Sequence, residues 1–583
     1  MLARARPDFR GSRMAGETAV LAWRHDFLVR YPELTLFLVI SAGYWIGGFK
    51  IAGFGLGPVT GSLFAGILVG QFAEAPVSGM LKSFLFLLFL FGIGHSVGPQ
   101  FLQSLRRDGL KPVLLALACT VTGLIVAVAV ARYLKLDPGF SAGLLSGALT
   151  ESPAMGTATE AINQLPLPDA DKARYVAHIA VADAVCYVFG TAGLILFCSV
   201  IAPALLGGDL REEALALEKK LGISRQKPGV ASAWRKFELR AFRLAAESPL
   251  AGRTVAEAEA GARDHRLFIQ HVRRGERILA AEMGLILEPG DVLSISGRRD
   301  IIVERVGPRA EEVDDRELLD LPIASLDVLV QSPDFAGRTV AEVGQEDWTR
   351  CVYLRSMTRG GEEMPIAPGL VIDKGDVLRL VGPEEVVRTT AARIGAVVAP
   401  TTATDFVVLG LAIFLGGLIG VLVTFPIGGL RITLSTSVGT LLAGLAVGHL
   451  RTRYPLFGRI PDGAVNLMTA LGLAAFVGMT GLHAGPVFFK AVAEAGVGLV
   501  FGGMVVTLAP PVVGLLLGRY VLGMNPVLVL GAIAGAQTMT AAMAAVQERS
   551  GSPVAVLGYT PAVPVGHILL TTWGSIIVGL MAS

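Results

Sequence analysis

Thr150, Glu151 and Ser152 stand directly before Pro153 inside an otherwise apolar stretch. Gln537, Thr538 and Thr540 occupy the matching place 388 residues later, the step from Met155 to Met543. Hydroxyls, an amide and an acid at such a point can replace the water around a small polar solute inside an apolar bundle. Proline lacks the N–H that a helix needs and clashes with the preceding turn, so the chain is expected to unwind there. The next helix then presents unpaired N–H groups and the positive end of its dipole, which suits a carboxylate without any arginine. No Arg or Lys lies well inside a hydrophobic segment. The competing reading is that Pro153 only kinks a packed helix.

Glu151 is an ionisable group within an apolar run, which makes it a candidate for binding a proton during a cycle; a water-exposed mouth is the alternative. Asp183 and His567 fall at matching places and are expected to meet as a buried pair, either gating a proton or cation or forming a structural hydrogen bond. His95 and His483 flank Gly98-Pro99 and Gly485-Pro486, breaks expected to end helices; the blander reading of each histidine is packing. Cysteines 119, 186, 198 and 351 form no CxxC pair and read as buried apolar residues. Neither an activated nucleophile nor a metal-ligand cluster is present at recognisable spacing, so no catalytic residue, metal or cofactor is assigned.

The elements that must position these groups are hydrophobic. Apolar residues make up 52% of the chain and charged residues 17%, too apolar for an ordinary soluble protein, and 71 glycines suit closely packed membrane helices. Without a long basic run or aromatic–basic interleaving, nucleic acid is set aside as a partner. Bilayer-length runs fall near 34–50, 54–72, 80–101, 112–134, 140–165 and 175–206. They return near 404–425, 432–449, 464–489, 494–518, 526–547 and 559–582. The two sets are copies. Gly61-Ser-Leu-Phe-Ala-Gly-Ile-Leu-Val-Gly70 resembles Gly439-Thr-Leu-Leu-Ala-Gly-Leu-Ala-Val-Gly448, and Gly94–Phe101 resembles Gly481–Phe488. Asp137-Pro138 through Met155 matches Asn525-Pro526 through Met543.

Duplicated hydrophobic units are often inverted across the membrane. Loop charges agree: Arg106, Arg107 and Lys111 answer Lys490 balanced by Glu494, whereas Glu74 and Lys82 answer Arg451, Arg453 and Arg459. Inversion requires an odd number of crossings. The expected fold is therefore a polytopic α-helical membrane protein of two inverted repeats, each with about five crossings plus a re-entrant or broken fifth segment. Six arginines in the first thirty residues argue against an external N-terminus, and no cleavable signal precedes Leu34; Met14 is an alternative start.

The charged middle is duplicated too. Ala251-Gly-Arg-Thr-Val-Ala-Glu257 recurs as Ala336–Glu342, and Gly290-Asp-Val-Leu293 recurs as Gly375–Leu378, both 85 residues on, as from Ala251 to Ala336. Each copy reads strand, short helix, three strands and a helix, a small α+β domain that needs a partner to bury enough core. Arg253 and Arg338 either bind an anionic effector or pair with a nearby Glu. No GxGxxG follows a strand here, which weakens NAD or ATP as ligands. The expected boundaries are 1–30 tail, 31–206 first repeat, 207–235 linker, 236–310 and 320–397 small domains, and 402–583 second repeat.

Together these residues resemble the aspartate:alanine exchanger family of bacterial secondary transporters, with two RCK_C (TrkA-C) domains between the membrane halves. Gly147-Ala-Leu-Thr-Glu-Ser-Pro-Ala154 looks like the family's Gly-x-Leu-Thr-x-x-Pro-Ala signature, and Gly558–Gly574 looks like its closing helix. His567 stands where Asn is common in the family, which loosens the inference to a particular substrate. The resemblance implies antiport of aspartate for alanine, or of dicarboxylates such as succinate, by alternating access, in the bacterial inner membrane with a cytoplasmic insert. Partners so implied are a small carboxylate or amino-acid substrate, the lipid bilayer, a second copy in a homodimer and a small anionic regulatory ligand. The alternative is a cation or proton transporter gated by the RCK_C domains; an enzyme is not expected.

Overall fold

In the computed structural model the described residues are 26–51, 54–55, 57–72, 76, 78–104, 110–207, 209–221, 237–260, 267–306, 310–359, 362–398, 403–427, 430–451, 454 and 457–582. The tail before residue 26, Glu74, Arg106, Arg107, Arg453 and most of the 207–235 linker lie outside them. The chain divides into one unit of residues 1–213, 401–550 and 555–583, and another of 214–400 with 551–554.

In the first membrane half, α1 (Pro32–Gly47) leads through a two-stranded hairpin, β1 (Lys50–Ile51) and β2 (Phe54–Gly55), into α2 (Gly57–Phe72). Then follow α3 (Gly79–Ser104), α4 (Leu110–Tyr133), α5 (Pro138–Ala148), α6 (Pro153–Gln164) and α7 (Asp169–Leu196), which continues through a π-turn to Leu206; α8 (Leu210–Leu221) leads away.

The insert holds two five-stranded antiparallel sheets. The first copy is β3 (Phe237–Leu244), α9 (Val255–Ala260), β4 (Phe268–Arg274), β5 (Arg277–Ala280), β6 (Val292–Arg298), α10 (Arg299–Arg305) and β7 (Ala310–Val313), followed by the turn α11 (Arg316–Leu319). The second is β8 (Ile323–Val330), α12 (Val340–Gly344), β9 (Tyr353–Arg359), β10 (Glu362–Met364), β11 (Val377–Pro383), α13 (Glu384–Ile394) and β12 (Gly395–Val397). Strand orders β5-β4-β6-β3-β7 and β10-β9-β11-β8-β12 are the same topology.

The recurrent motifs are its joints. Thr254 and Glu257 form reciprocal capping bonds of 3.2 and 2.8 Å, and Thr339 with Glu342 repeats both distances. Buried Asp291 and Asp376 close the Gly-Asp turns and each receive a two-pronged guanidinium, from Arg274 and Arg359. The copies pair with each other: Arg350 donates to buried Glu259 at 2.6 and 2.9 Å, and Tyr353 meets Ser296 at 3.0 Å. Phe268 and Tyr353, 85 residues apart and so the same position in each copy, lie against each other with ring centroids 6.0 Å apart. Arg338 pairs with Glu346 at 2.6 Å.

The second membrane half is α14 (Phe406–Leu422), the hairpin β13 (Thr424–Ile427) and β14 (Leu430–Thr433), α15 (Thr436–Arg451), α16 (Asp462–Ala484), α17 (Phe488–Leu516), α18 (Pro526–Ala536), α19 (Thr540–Ser550) and α20 (Val556–Ala582). It repeats the first half element by element, including the hairpin that the apolar pattern had hidden. Among the described residues five continuous helical stretches are long and apolar enough to cross a bilayer, joined by shorter apolar helices at α1, α2, α14 and α18.

Glycine sets how the halves interlock. α2 packs on α16 while its counterpart α15 packs on α3. A Cβ on Gly66 would fall 2.3 Å from the Gly478 carbonyl oxygen, and one on Gly94 would fall 2.2 Å from that of Leu441. The two recurrent glycine motifs are thus each other's partners, crossing between halves twice. Gly98-Pro99 does not end its helix: α3 runs on to Ser104, pressed at Gly98 against Leu445 and Gly448. A neighbouring helix that close supports the ladder across a proline. Gly485-Pro486 does end one, in a 3₁₀ turn after Ala484.

Asp137 caps α5 by accepting from the Phe140 N–H, and Asn525 caps α18 by accepting from that of Val527, each followed by proline at the first helical position. Along α5, Gly139 packs on Tyr175, Gly143 on Ile179 and Gly147 on Asp183, so α5 and α7 run parallel. α6 must therefore turn back to return the chain to the start of α7. Gly531 on Ala555 and Gly535 on Tyr559 make the same statement for α18 and α20. The fifth segment enters and leaves on one side. Each half crosses five times, an odd number, and the second is inverted relative to the first.

Candidate functional site

The two breaks have the same backbone. After α5, the Glu151 N–H bonds to Ser146 O at 2.8 Å and the Thr150 N–H to Gly147 O at 3.1 Å; after α18, Met539 bonds to Ala534 and Thr538 to Gly535, both at 2.9 Å. This is the paired closure of a helix end whose turning residue sits in the left-handed region, usually glycine. Here it is threonine twice, Thr150 at φ +57° and Thr538 at φ +53°. A side chain there costs roughly 1–2 kcal/mol, and a β-branched one is a marked outlier.

The strained threonines bring the breaks together. Thr150 Oγ1 donates to the Gln537 carbonyl oxygen at 3.3 Å, and Thr538 Oγ1 donates to Glu151 Oε2 at 2.8 Å. Glu151 is 1% exposed. Its other oxygen accepts from Thr571 Oγ1 at 3.2 Å and faces His567 Nδ1 at 3.3 Å, both from α20. Gln537 is buried, and among the described residues neither atom of its side-chain amide has a hydrogen-bond partner. Such a group costs free energy unless something else satisfies it.

Ser152 and Pro153 are buried at the start of α6, and Thr540 is exposed at the start of α19. Asp183 does not pair with His567. It accepts a hydrogen bond from Ser146 Oγ at 2.5 Å, since α7 faces α5 of its own half, whereas His567 on α20 faces the opposite break. His95 is buried, stacked on Phe91 and 3.3 Å from Gly458 O, away from the breaks; His483 is exposed near the end of α16. The four cysteines are buried and form no disulfide. Two residues that the sequence reading omitted belong here. Thr571 lies one turn beyond His567 on the same helix face, a legible signal; Ser146 needed the α5–α7 contact to be seen.

Two inverted, interlocked halves that meet at hydroxyl-lined helix breaks around a buried acid define a membrane transporter. The profile of a family described as a predicted permease membrane region matches residues 35–203 and 408–579, and that of the TrkA-C domain matches 239–304. The chain belongs to the aspartate:alanine exchanger family. It is 64% identical to an uncharacterized transporter of Bradyrhizobium diazoefficiens over 89% of this chain and 100% of the relative. It is 39% identical to one from Bordetella parapertussis (95% and 97% covered) and 35% identical to one from Shewanella oneidensis (95% and 99%). No solved structure matches.

Proposed function

We propose that the protein is a secondary antiporter of small carboxylate-bearing metabolites, aspartate against alanine first among them or related dicarboxylates such as succinate, bound between the two breaks and released to alternate sides. The carrying observation is the juxtaposition of the Thr150 and Thr538 turns around Glu151, with the Gln537 amide buried beside them and unmatched. An amino-acid substrate supplies what this cluster lacks: an ammonium for the Glu151 carboxylate and a carboxylate for the Gln537 amide and the start of α19.

With five crossings per half, Lys111, Arg451 and Arg459 fall on the side where the chain leaves for the insert. That side is then the cytoplasm of a bacterium, with the protein in its inner membrane. The paired small domains take an anionic regulatory ligand, and two copies associate as a homodimer. Proteoliposomes preloaded with aspartate test the reading: stimulated uptake of labelled alanine or aspartate supports it. Cation flux alone favours a cation or proton transporter gated by the insert, with Glu151 and Asp183 as ion ligands.

A further inference from the structure

The halves share a sequence pattern, but their re-entrant arms are not held alike. The outer turns of α6 are fastened to the opposite half. Thr157 Oγ1 donates to Thr571 O at 2.6 Å, and Gly574 lies against Ala154. One turn further, the Glu160 carboxylate accepts the hydroxyls of Thr436 and Ser437 at 2.7 and 2.5 Å and the Ser437 N–H at 3.4 Å. A turn beyond that, Thr433 Oγ1 donates to Gln164 Oε1 at 2.8 Å. Glu160 thus caps the N-terminus of α15 from another helix, where a negative charge is favoured. The neighbouring Ser435 sits at φ +77°, a second strained residue at this joint.

The counterpart of Glu160, 388 residues on, is Glu548 on α19, and it is exposed. The helix start that would receive it is α2. There Pro58 and Val59 stand where α15 has Thr436 and Ser437, by the alignment of Gly61 with Gly439. Neither offers a hydroxyl, and proline offers no N–H. Among the described residues Glu160 is clamped in this way and Glu548 is not.

We propose that Glu160 is the latch of a gate: its carboxylate clamps the arm α6 onto the start of α15 and closes the site on the face opposite the insert, and its release opens that face. The inference rests on the breaks being the transport site, since a site reached from alternate sides must be closed on one side at a time. The latch is built of charge-assisted hydrogen bonds, strong enough to hold a state and weak enough to exchange with water.

The test reads access and needs no transported substrate. Ser152→Cys is introduced into the full-length chain, whose own cysteines are buried. Its alkylation by a membrane-impermeant maleimide added to the face opposite the insert is timed with Glu160 intact and with Glu160→Ala. Loss of the latch is expected to raise the rate roughly tenfold or more, the factor that one or two lost hydrogen bonds represent. Thr436→Val with Ser437→Ala removes the two hydroxyl bonds from the other partner, and a rise in the same direction is expected should Glu160→Ala not fold. An unchanged rate in a folded variant overturns the latch. Aspartate counterflow is measured on parallel vesicles that carry the unaltered chain, with native Ser152 and Glu160 and without maleimide. Faster labelling without aspartate exchange supports the latch and sinks the proposed substrate, whereas unchanged labelling with normal exchange sinks the latch alone.

Discussion

Thr538 donates its hydroxyl to the carboxylate of Glu151 at 2.8 Å, joining two breaks that lie 387 residues apart along the chain, 151 to 538. Both turns place threonine at a left-handed angle where glycine would be relaxed. Strain at matching points of two repeats, each aimed at the other, is expected where function outranks stability.

Thr150→Gly and Thr538→Gly are therefore expected to stabilise the protein by about 1 kcal/mol each while lowering transport. Thermal unfolding in detergent, compared with initial rates in proteoliposomes, checks both halves of the statement. A glycine variant that transports normally would show the hydroxyls to be dispensable.

Replacing Glu151 by Gln removes the carboxylate bonded to both Thr538 and Thr571 while keeping its shape. Transport by Glu151→Gln should lose or shift its pH dependence relative to wild type. Identical profiles at every pH would remove Glu151 from proton handling.

At the helix crossings the expected effect is on folding. Gly66→Val puts atoms where the backbone of Gly478 stands 2.3 Å from an ideal Cβ, and should abolish folded yield by size exclusion; Gly79→Ala, with nothing within 4 Å, should be neutral. Equal yields would mean the halves do not interlock as described.

Within the insert, Arg350→Ala leaves Glu259 buried without its counter-charge, a loss of roughly 2–3 kcal/mol. Hydrogen exchange along β4, whose Ile269 N–H also bonds to Glu259, should accelerate. Unaltered protection would show that the two copies do not support each other.

Much of this fold was legible in the sequence because duplication supplies an internal comparison. The cluster before Pro153 announced a break, and the match of Asp137-Pro138 through Met155 to Asn525-Pro526 through Met543 announced its counterpart. Parity required one re-entrant segment in each half, and Pro153 with the Gln537–Thr540 cluster pointed to the fifth. What the sequence hid depends on contacts across the chain. The β1–β2 and β13–β14 hairpins lie where one apolar run ends and the next begins, and their strands carry no pattern that separates them from the flanking helices. Pro99 lies within a helix because α15 braces it, and no local pattern reveals that brace. Asp183 and His567 were matched through their helices, but matched positions meet only near the two-fold axis, and each of these side chains points to a nearer partner. Nothing local marks Glu160, because its partners Thr436 and Ser437 lie on another helix, 276 and 277 residues along the chain.

Counterflow with the double variant Thr150→Val, Thr538→Val tests the central claim most directly. Valine keeps the shape and the backbone strain and removes only the two hydroxyls. Proteoliposomes loaded with unlabelled aspartate should accumulate labelled aspartate or alanine with the wild-type protein. The folded double variant should need roughly tenfold more external substrate to reach half its rate. Half-saturation at the wild-type concentration would contradict the placement of the site between the two breaks.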